Sequence, residues 1–547
     1  MRNLFIVGAM AASLALAACA PAAQPVGNPA PQGGADQPKT GGVLNVRAFT
    51  DFFDFDPSYD GKSNPNTSAY NLVEDTLLRF KTGPGLDFGA QIATTGLAER
   101  WEVSPDAKTI TLHLRKGVKY AKVAPVNGRD FTSQDVKWNL EYYSRTGQFK
   151  DKKLPVNQFD WMYEGLTGVD TPDPYTAVIR FAKPFVPFVN YMATEVMTMG
   201  AREVYEADGS LQKRMAGTGP YIHDEANTQR GSRWVFKKNP DYWEPGKPYL
   251  DEIRYLVLPD DPTTVAAFKT KQVDVLSDGQ SVTARNAEEV RKSIPTATIQ
   301  QAINPAPLHL YMSAKHFPFN DMRLRKAIDL AIDRDEFVKV MSNGQGGWGM
   351  PGAFSDTWTQ DEIKGILKYD PAQAKKLMAE AGYPNGFDTK FLIRGNDGGE
   401  QLRTQAQLLQ AQLKKVGINM TLDITADKAA GAKRLYAGDF DLIAINKALY
   451  GDVDSFLYAT YYSTSAANYS FVVDPEVDKL IEAQRAEVNP TKRMEAVRQV
   501  SRRLAETGDA VVIYREAYYT AWQQWVKGYY PLWRGVRQPA DLWIDKS

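Results

Sequence analysis

Residues 319–334, FNDMRLRKAIDLAIDR, set Leu324, Ala327, Ile328, Ala331 and Ile332 at the spacing that gathers apolar side chains on one helical face. Asn320 or Asp321 supplies the N-cap. Downstream, Asp370-Pro371 opens a second helix that closes at Gly382. Leu402, Ala406, Leu409, Leu413 and Val416 form a third apolar stripe, and Gly417 then releases the chain into Ile418–Ile424, an alternating strand. Upstream, Val43–Val46, Thr109–Leu114, Trp234–Phe236 and Ile253–Leu258 read as strands, and Gly217–Tyr221 as a turn. Thr132 followed by Asp135 has the form of a capping box before Val136–Leu140. Short strands alternating with capped helices, with no repeat period, predict an α/β protein whose sheets are faced by helices.

The chain has 547 residues, more than one core comfortably fills, so two or three packed lobes are expected. Lys plus Arg and Asp plus Glu are both 65, which leaves no surplus of positive charge for a nucleic-acid backbone. The 11 Trp, 27 Tyr and 24 Phe suffice for a core and an aromatic-lined cavity, and exclude disorder of the main body.

The first 18 residues carry one cation, Arg2, followed by an apolar run too short for a comfortable membrane span, which reads as an export signal. It ends in Leu16-Ala17-Ala18-Cys19, which resembles the bacterial lipobox and would make Cys19 a lipid-modified mature N-terminus. Cys19 is the only cysteine, so no intrachain disulfide is available and stability must come from burial. Residues 19–40, rich in Pro, Gly, Ala and Gln, read as a flexible tether able to hold a folded body roughly 25 Å above a bilayer. The expected location is the cell envelope, on the periplasmic or extracytoplasmic face.

Several motifs then occur in a fixed order: Leu112–Gly117, Asp135-Val136, Gly217–Tyr221, Asn239-Pro240-Asp241-Tyr242-Trp243 with Gly246–Asp251, the 319–334 segment, Tyr369-Asp370-Pro371 with Ala379–Pro384, and Asp474–Asp478. In this the chain resembles the bacterial extracellular solute-binding proteins of the peptide/nickel class, which deliver ligands to ATP-binding-cassette importers. The resemblance implies a two-lobe, periplasmic-binding-protein-like clamshell (type II, cluster C) with an extra inserted domain. Lobe one would comprise 41–60, 205–303 and 514–547, with the inserted domain at 61–204; lobe two would run from 304 to 513. Asn304–Pro307 and Val511–Tyr514 would cross between the lobes as the hinge. Ligand bridging both lobes would shift a hinge equilibrium toward closure, for a permease and ATPase complex to read. A monomer is expected.

Peptide-binding relatives pair a lobe-two aspartate with the ligand's α-ammonium, just ahead of a Ser-Phe-Leu-like element. Placing Ser455-Phe456-Leu457 in register puts Leu449 where that aspartate would stand. Asp452 and Asp454 are near enough in sequence to substitute, while Lys447 adds positive charge unless it faces solvent. A buried ammonium without a carboxylate costs several kcal/mol. Peptide is therefore the default cargo, with a carbohydrate or an anionic, opine-like solute as competitor. Candidate ligand contacts are Asn446, Lys447, Tyr450 and Asp452 in this loop, Trp348 and Trp358 in lobe two, and Phe53, Phe55 and Asp56 after the first strand; Phe159, Trp161 and Met162 are weaker candidates.

An exported hydrolase is the alternative class, since carboxylates are plentiful. No His-Glu-x-x-His, Gly-x-Ser-x-Gly, Walker or dinucleotide motif is present, so no catalytic residue, cofactor or metal site is expected. His309 and His316 read as a strand face and a loop rather than as zinc ligands, and no local His cluster supports uptake of a nickel complex.

Overall fold

A computed structural model describes residues 37–546 except 53, 59–63, 155–156, 277–280, 353–356, 396–398, 447–449 and 534–537. Cys19 with its lipobox, most of the tether, Phe53, Lys447 and Leu449 lie outside the described residues. From residue 38 onward the chain forms one contact unit.

The 319–334 segment folds as its spacing demands. Met322–Ala331 is a helix capped by Asp321, whose carboxylate accepts from the Arg323 N–H at 2.8 Å. Leu324, Ala327 and Ile328 are completely buried against the lobe-two sheet; burying each Leu or Ile contributes about 1.5–3 kcal/mol. The helix stops at Ile332 because Asp333 caps a new helix, Arg334–Ser342. Arg334 has no exposed surface: it pairs with Asp329, and its Nε donates to the Val512 carbonyl at 2.8 Å. Arg323 pairs with Asp321, and Arg325 with Asp509.

The fold is a two-lobe α/β clamshell. In lobe two the strand order is Ile418–Ile424, Phe387–Ile393, Leu442–Asn446, Leu308–Met312, Val511–Tyr514; the first three are parallel, and Leu308–Met312 runs antiparallel to both its neighbours. Helix Gly399–Lys414 covers this sheet with Ala406, Leu409 and Leu413. Three further helices, Asp454–Tyr461, Pro475–Ala486 and Pro490–Thr507, share a core of their own.

Lobe one is built on the order Val43–Ala48, Glu252–Val257, Arg233–Lys238, Tyr221–His223, the first pair parallel and the others antiparallel. The strand pair Thr298–Ile303 and Ala517–Trp522 joins it through Val275, which bridges Val46 on one side and Trp522 on the other. Between these pieces an antiparallel sheet of Ala98–Val103, Thr109–Leu114, Thr176–Phe181 and Leu166–Asp173 packs under helix Ser133–Ser144 with a separate core. Asp135 caps that helix, accepting from the Thr132 N–H at 2.8 Å.

Gly217 and Gly219 seal the junction between the inserted sheet and lobe one. A Cβ at Gly217 would stand 2.3 Å from the Val73 carbonyl oxygen, so only glycine permits the approach. Beneath them Glu74 is buried. Loss of hydration, opposed by a 2.6 Å hydrogen bond from the Thr198 hydroxyl and assisted by the charge of Asp56, pushes its carboxyl up to about 8. Folded Glu74 thus keeps its proton to about pH 8, whereas the unfolded chain releases it near 4.5. Its contribution is complete below 4.5 and is lost as pH rises through 8, a fall on the order of a few kcal/mol. Thermal melts from pH 5 to 9 should show Glu74→Gln removing much of that decline and gaining on the parent above pH 8; identical slopes would refute the assignment.

Candidate functional site

The chain crosses between the lobes twice, side by side. Thr298–Ile303 pairs with Ala517–Trp522 in lobe one, and Leu308–Met312 with Val511–Tyr514 in lobe two. The crossing itself is Asn304–Pro307 against Arg515-Glu516, one residue beyond the Val511–Tyr514 read from sequence, because those four residues complete the lobe-two sheet. Pro305 and Pro307 have no N–H, so they keep the segment extended and interrupt the ladder. Asn304 N–H donates to the Glu516 carbonyl at 2.8 Å across the crossing.

The loop Gly346–Trp348 zips onto this crossing. Gly347 and Arg515 exchange two backbone hydrogen bonds, at 2.9 and 2.7 Å, and a Cβ at Gly346 would lie 2.4 Å from the Arg515 carbonyl oxygen. The Arg515 guanidinium turns to the carbonyls of Asn304 (2.8 Å) and Ile303 (3.4 Å).

Parallel strands present their C-terminal ends to ligands in α/β sheets. Here those ends are Ile393, Ile424 and Asn446, and the Asn446 end, with the first turns of helix Gly399–Lys414, meets the crossing at Glu516. Glu516 Oε1 accepts from Gln401 Nε2 at 2.6 Å, the Tyr514 hydroxyl at 2.9 Å and Gln405 Nε2 at 3.3 Å, and the Asn446 side chain also donates to the carboxylate. Burial raises its pKa; the donors Tyr514, Asn446 and Gln405 oppose the rise. On the lobe-one side Tyr518, two residues on, packs against Phe88 (ring centroids 4.7 Å) and Trp533 (5.7 Å). Gln91, in the same loop as Phe88, has both side-chain amide atoms buried without a partner among the described residues.

The remaining sequence candidates fall in two groups. Tyr450 and Asn446 sit at inter-lobe surfaces: Tyr450 meets Phe159 of the inserted domain at 4.8 Å, and Asn446 is exposed at its strand end. Phe55 and Asp56 are instead taken up inside lobe one, Phe55 against Trp234 and His223, and Asp56 by hydrogen bonds from the Tyr142 and Ser58 hydroxyls. Trp348 donates to Asp335 at 2.8 Å from within the lobe-two core, and Trp358 is buried beneath the guanidinium groups of Arg498 (3.7 Å) and Arg502 (4.7 Å). Met162 is buried in the inserted core, with Trp161 packed at its edge.

Asp452 and Asp454 are engaged in charge pairs. Arg493 grips Asp452 with both terminal nitrogens, one at 2.9 Å, while Asn190 Nδ2 donates to it at 2.8 Å from the inserted domain. Asp454 accepts from Gln484 (2.5 Å) and Arg485 (2.9 Å), and from the Tyr191 hydroxyl at 2.9 Å. Burial works against the charge on Arg485, but the Asp454 carboxylate outweighs it and holds the guanidinium protonated. Arg485 also reaches Glu164 at 2.5 Å, and the Tyr458 hydroxyl donates to the same carboxylate at 2.5 Å. These residues wall a groove of about 240 Å³ with Lys183 and Glu482. The sequence carried no local sign of this contact between inserted domain and lobe two, because its partners stand some 260 to 320 residues apart.

Among the described residues no helix is long and apolar enough to cross a membrane, and no cluster of three or more His, Cys, Asp or Glu is placed to hold a metal ion. His309 packs between Tyr311 and Phe456, and His316 lies 3.0 Å from Asp441.

Removing one partner of a buried ion pair strands the other. Arg493→Leu should therefore cost about 3–5 kcal/mol in urea unfolding, and adding Asp452→Asn should recover part of it. Strictly additive losses would show that the pair is not coupled.

Comparison with known proteins places this geometry. Residues 93–468 match the family described as bacterial extracellular solute-binding proteins, family 5 middle. The dipeptide-binding protein of Escherichia coli K12 is 26% identical over 495 residues, covering 86% of this chain and 88% of its own. Among solved structures, the Helicobacter pylori periplasmic binding protein DppA, in complex with the peptide STSA, superposes with a TM-score of 0.75 at 23% identity, covering 93% of this chain and 99% of its own. AgaA of A. tumefaciens R10, in complex with agropinic acid, gives a TM-score of 0.73 at 25% identity, covering 92% and 99%. The chain belongs to the family 5 bacterial extracellular solute-binding proteins, the solute receptors of ABC importers.

Proposed function

We propose that this chain captures a peptide or similar small solute between its lobes, closes on it by rotation about the Asn304–Pro307 and Arg515-Glu516 crossing, and hands it on unchanged to a permease and ATPase complex. The observation that carries the reading is the paired crossing itself, with the polar edge formed by Asn446, Gln401, Gln405 and Glu516 standing beside it. A solute touching both lobes favours the closed state by its differential affinity for it, and no turnover is required. Export, a lipid anchor on Cys19, an extracytoplasmic location and a monomeric state belong to the same proposal.

An opine-like anion is the second reading. It is favoured because Asp452 and Asp454, the loop carboxylates nearest the register position of Leu449, are tied to Arg493 and Arg485.

Melting of purified protein against di- and tripeptides, sugars and opine-like acids should rise with one solute class by RT ln(1 + [L]/Kd), with that solute recovered intact after hours. Consumption of the solute would overturn the reading in favour of a hydrolase. Lys447→Glu separates the cargoes: peptide binding should survive or improve, whereas binding of an anion should be lost. In cells, Cys19→Ser should move the protein from the membrane fraction to the soluble fraction; unchanged membrane association would exclude the anchor.

A further inference from the structure

We infer that Glu516 is the carboxylate that receives a cationic group of the cargo, an ammonium or guanidinium, at the hinge. The inference rests on the receptor reading and narrows it to solutes that carry a positive charge.

Three features of the site lead there. Glu516 is half-buried, yet its partners, Gln401, Gln405, Tyr514 and Asn446, are all neutral donors, and among the described residues no Lys or Arg forms an ion pair with it. The arginine next to it in the chain, Arg515, directs its guanidinium to the carbonyls of Ile303 and Asn304. The two buried carboxylates described at the inter-lobe contact each have a cation: Asp452 has Arg493, and Asp454 has Arg485. A partly desolvated carboxylate without a counter-charge is unfavourable unless a partner arrives. The donors fix its orientation but leave the negative charge in place, which is how an anionic recognition point is pre-organised.

Position supplies the second support. Glu516 stands on the crossing, where the C-terminal ends of the parallel lobe-two strands meet the lobe-one strand Ala517–Trp522. Its neighbours Asn446 and Gln401 are exposed, so a solute has access along that edge. Two residues on from Glu516, Tyr518 packs with Phe88 and Trp533 as an aromatic group on the lobe-one side. A cation held at Glu516 would touch one of the two paired segments that cross between the lobes. It would also take over the task for which the Ser455-Phe456-Leu457 loop retains no uncommitted carboxylate.

The test uses the full exported body and paired probes: Ala-Ala, Ala-Ala-Ala, Ala-Lys and arginine, each beside its Nα-acetylated form, with agmatine, mannitol and succinate as further members. Binding is read by calorimetry and thermal shift. The parent should bind a member with a free ammonium or guanidinium; where that cation is the α-ammonium, acetylation should abolish binding. Glu516→Gln should weaken that solute roughly 30- to 1,000-fold, as expected for truncating one side of an enclosed charge pair. Glu516→Asp, which keeps the charge on a shorter arm, should retain part of the affinity, and apo melting of both variants checks that the fold persists. Equal affinity of parent and Glu516→Gln for a cationic solute overturns the inference and leaves the receptor role standing. So does a parent that binds only mannitol or succinate. A parent that binds no solute of any class sinks the receptor reading itself.

Discussion

The structure depends on a backbone constraint at the crossing. Two segments pass between the lobes side by side, and on either side of the gap their amides are committed to different sheets. Pro305 and Pro307 withhold donors within the gap, so the ladders cannot fuse into one rigid ribbon. The Asn304–Glu516 hydrogen bond keeps the strands together while the dihedrals of a few residues remain free to change. Arg334, buried entirely and bonded to the Val512 carbonyl, braces the lobe-two side of this joint from the helix pair at 322–342.

A second theme is how charge is buried. Along the contact between inserted domain and lobe two, the buried carboxylates of Asp452 and Asp454 each find a guanidinium, and neutral donors such as Tyr191, Asn190 and Gln484 complete their coordination. Pairs of this kind add little net stability over a well-packed apolar contact, but they penalise any misaligned docking, because a displaced partner leaves a charge unsolvated. The lobes accordingly meet in a defined register along this lip.

The sequence disclosed the elements and the order in which they assemble, since periodicity, caps and turn residues are local. Leu324, Ala327 and Ile328 lie where their spacing placed them, and Asp321 is the cap. The cleft was far less legible. Trp348 and Trp358 looked like open recognition surface, but Arg334, Arg498 and Arg502 cover their faces from positions distant in sequence, or hidden in a helix whose pairing could not be read. Asp452 is an available carboxylate in the sequence and an occupied one in the fold. Glu516 is illegible for the converse reason: that no Lys or Arg among the described residues pairs with it is a property of tertiary surroundings and leaves no local pattern.

The adjacency of Asn304 and Glu516 has an evolutionary corollary. A segment that leaves and returns at neighbouring points is a cassette: it can be exchanged between related chains without rerouting the remainder. Ligand preference can then diversify by exchange of the segment between Pro307 and Arg515, while the stem that hosts both seams is inherited unaltered.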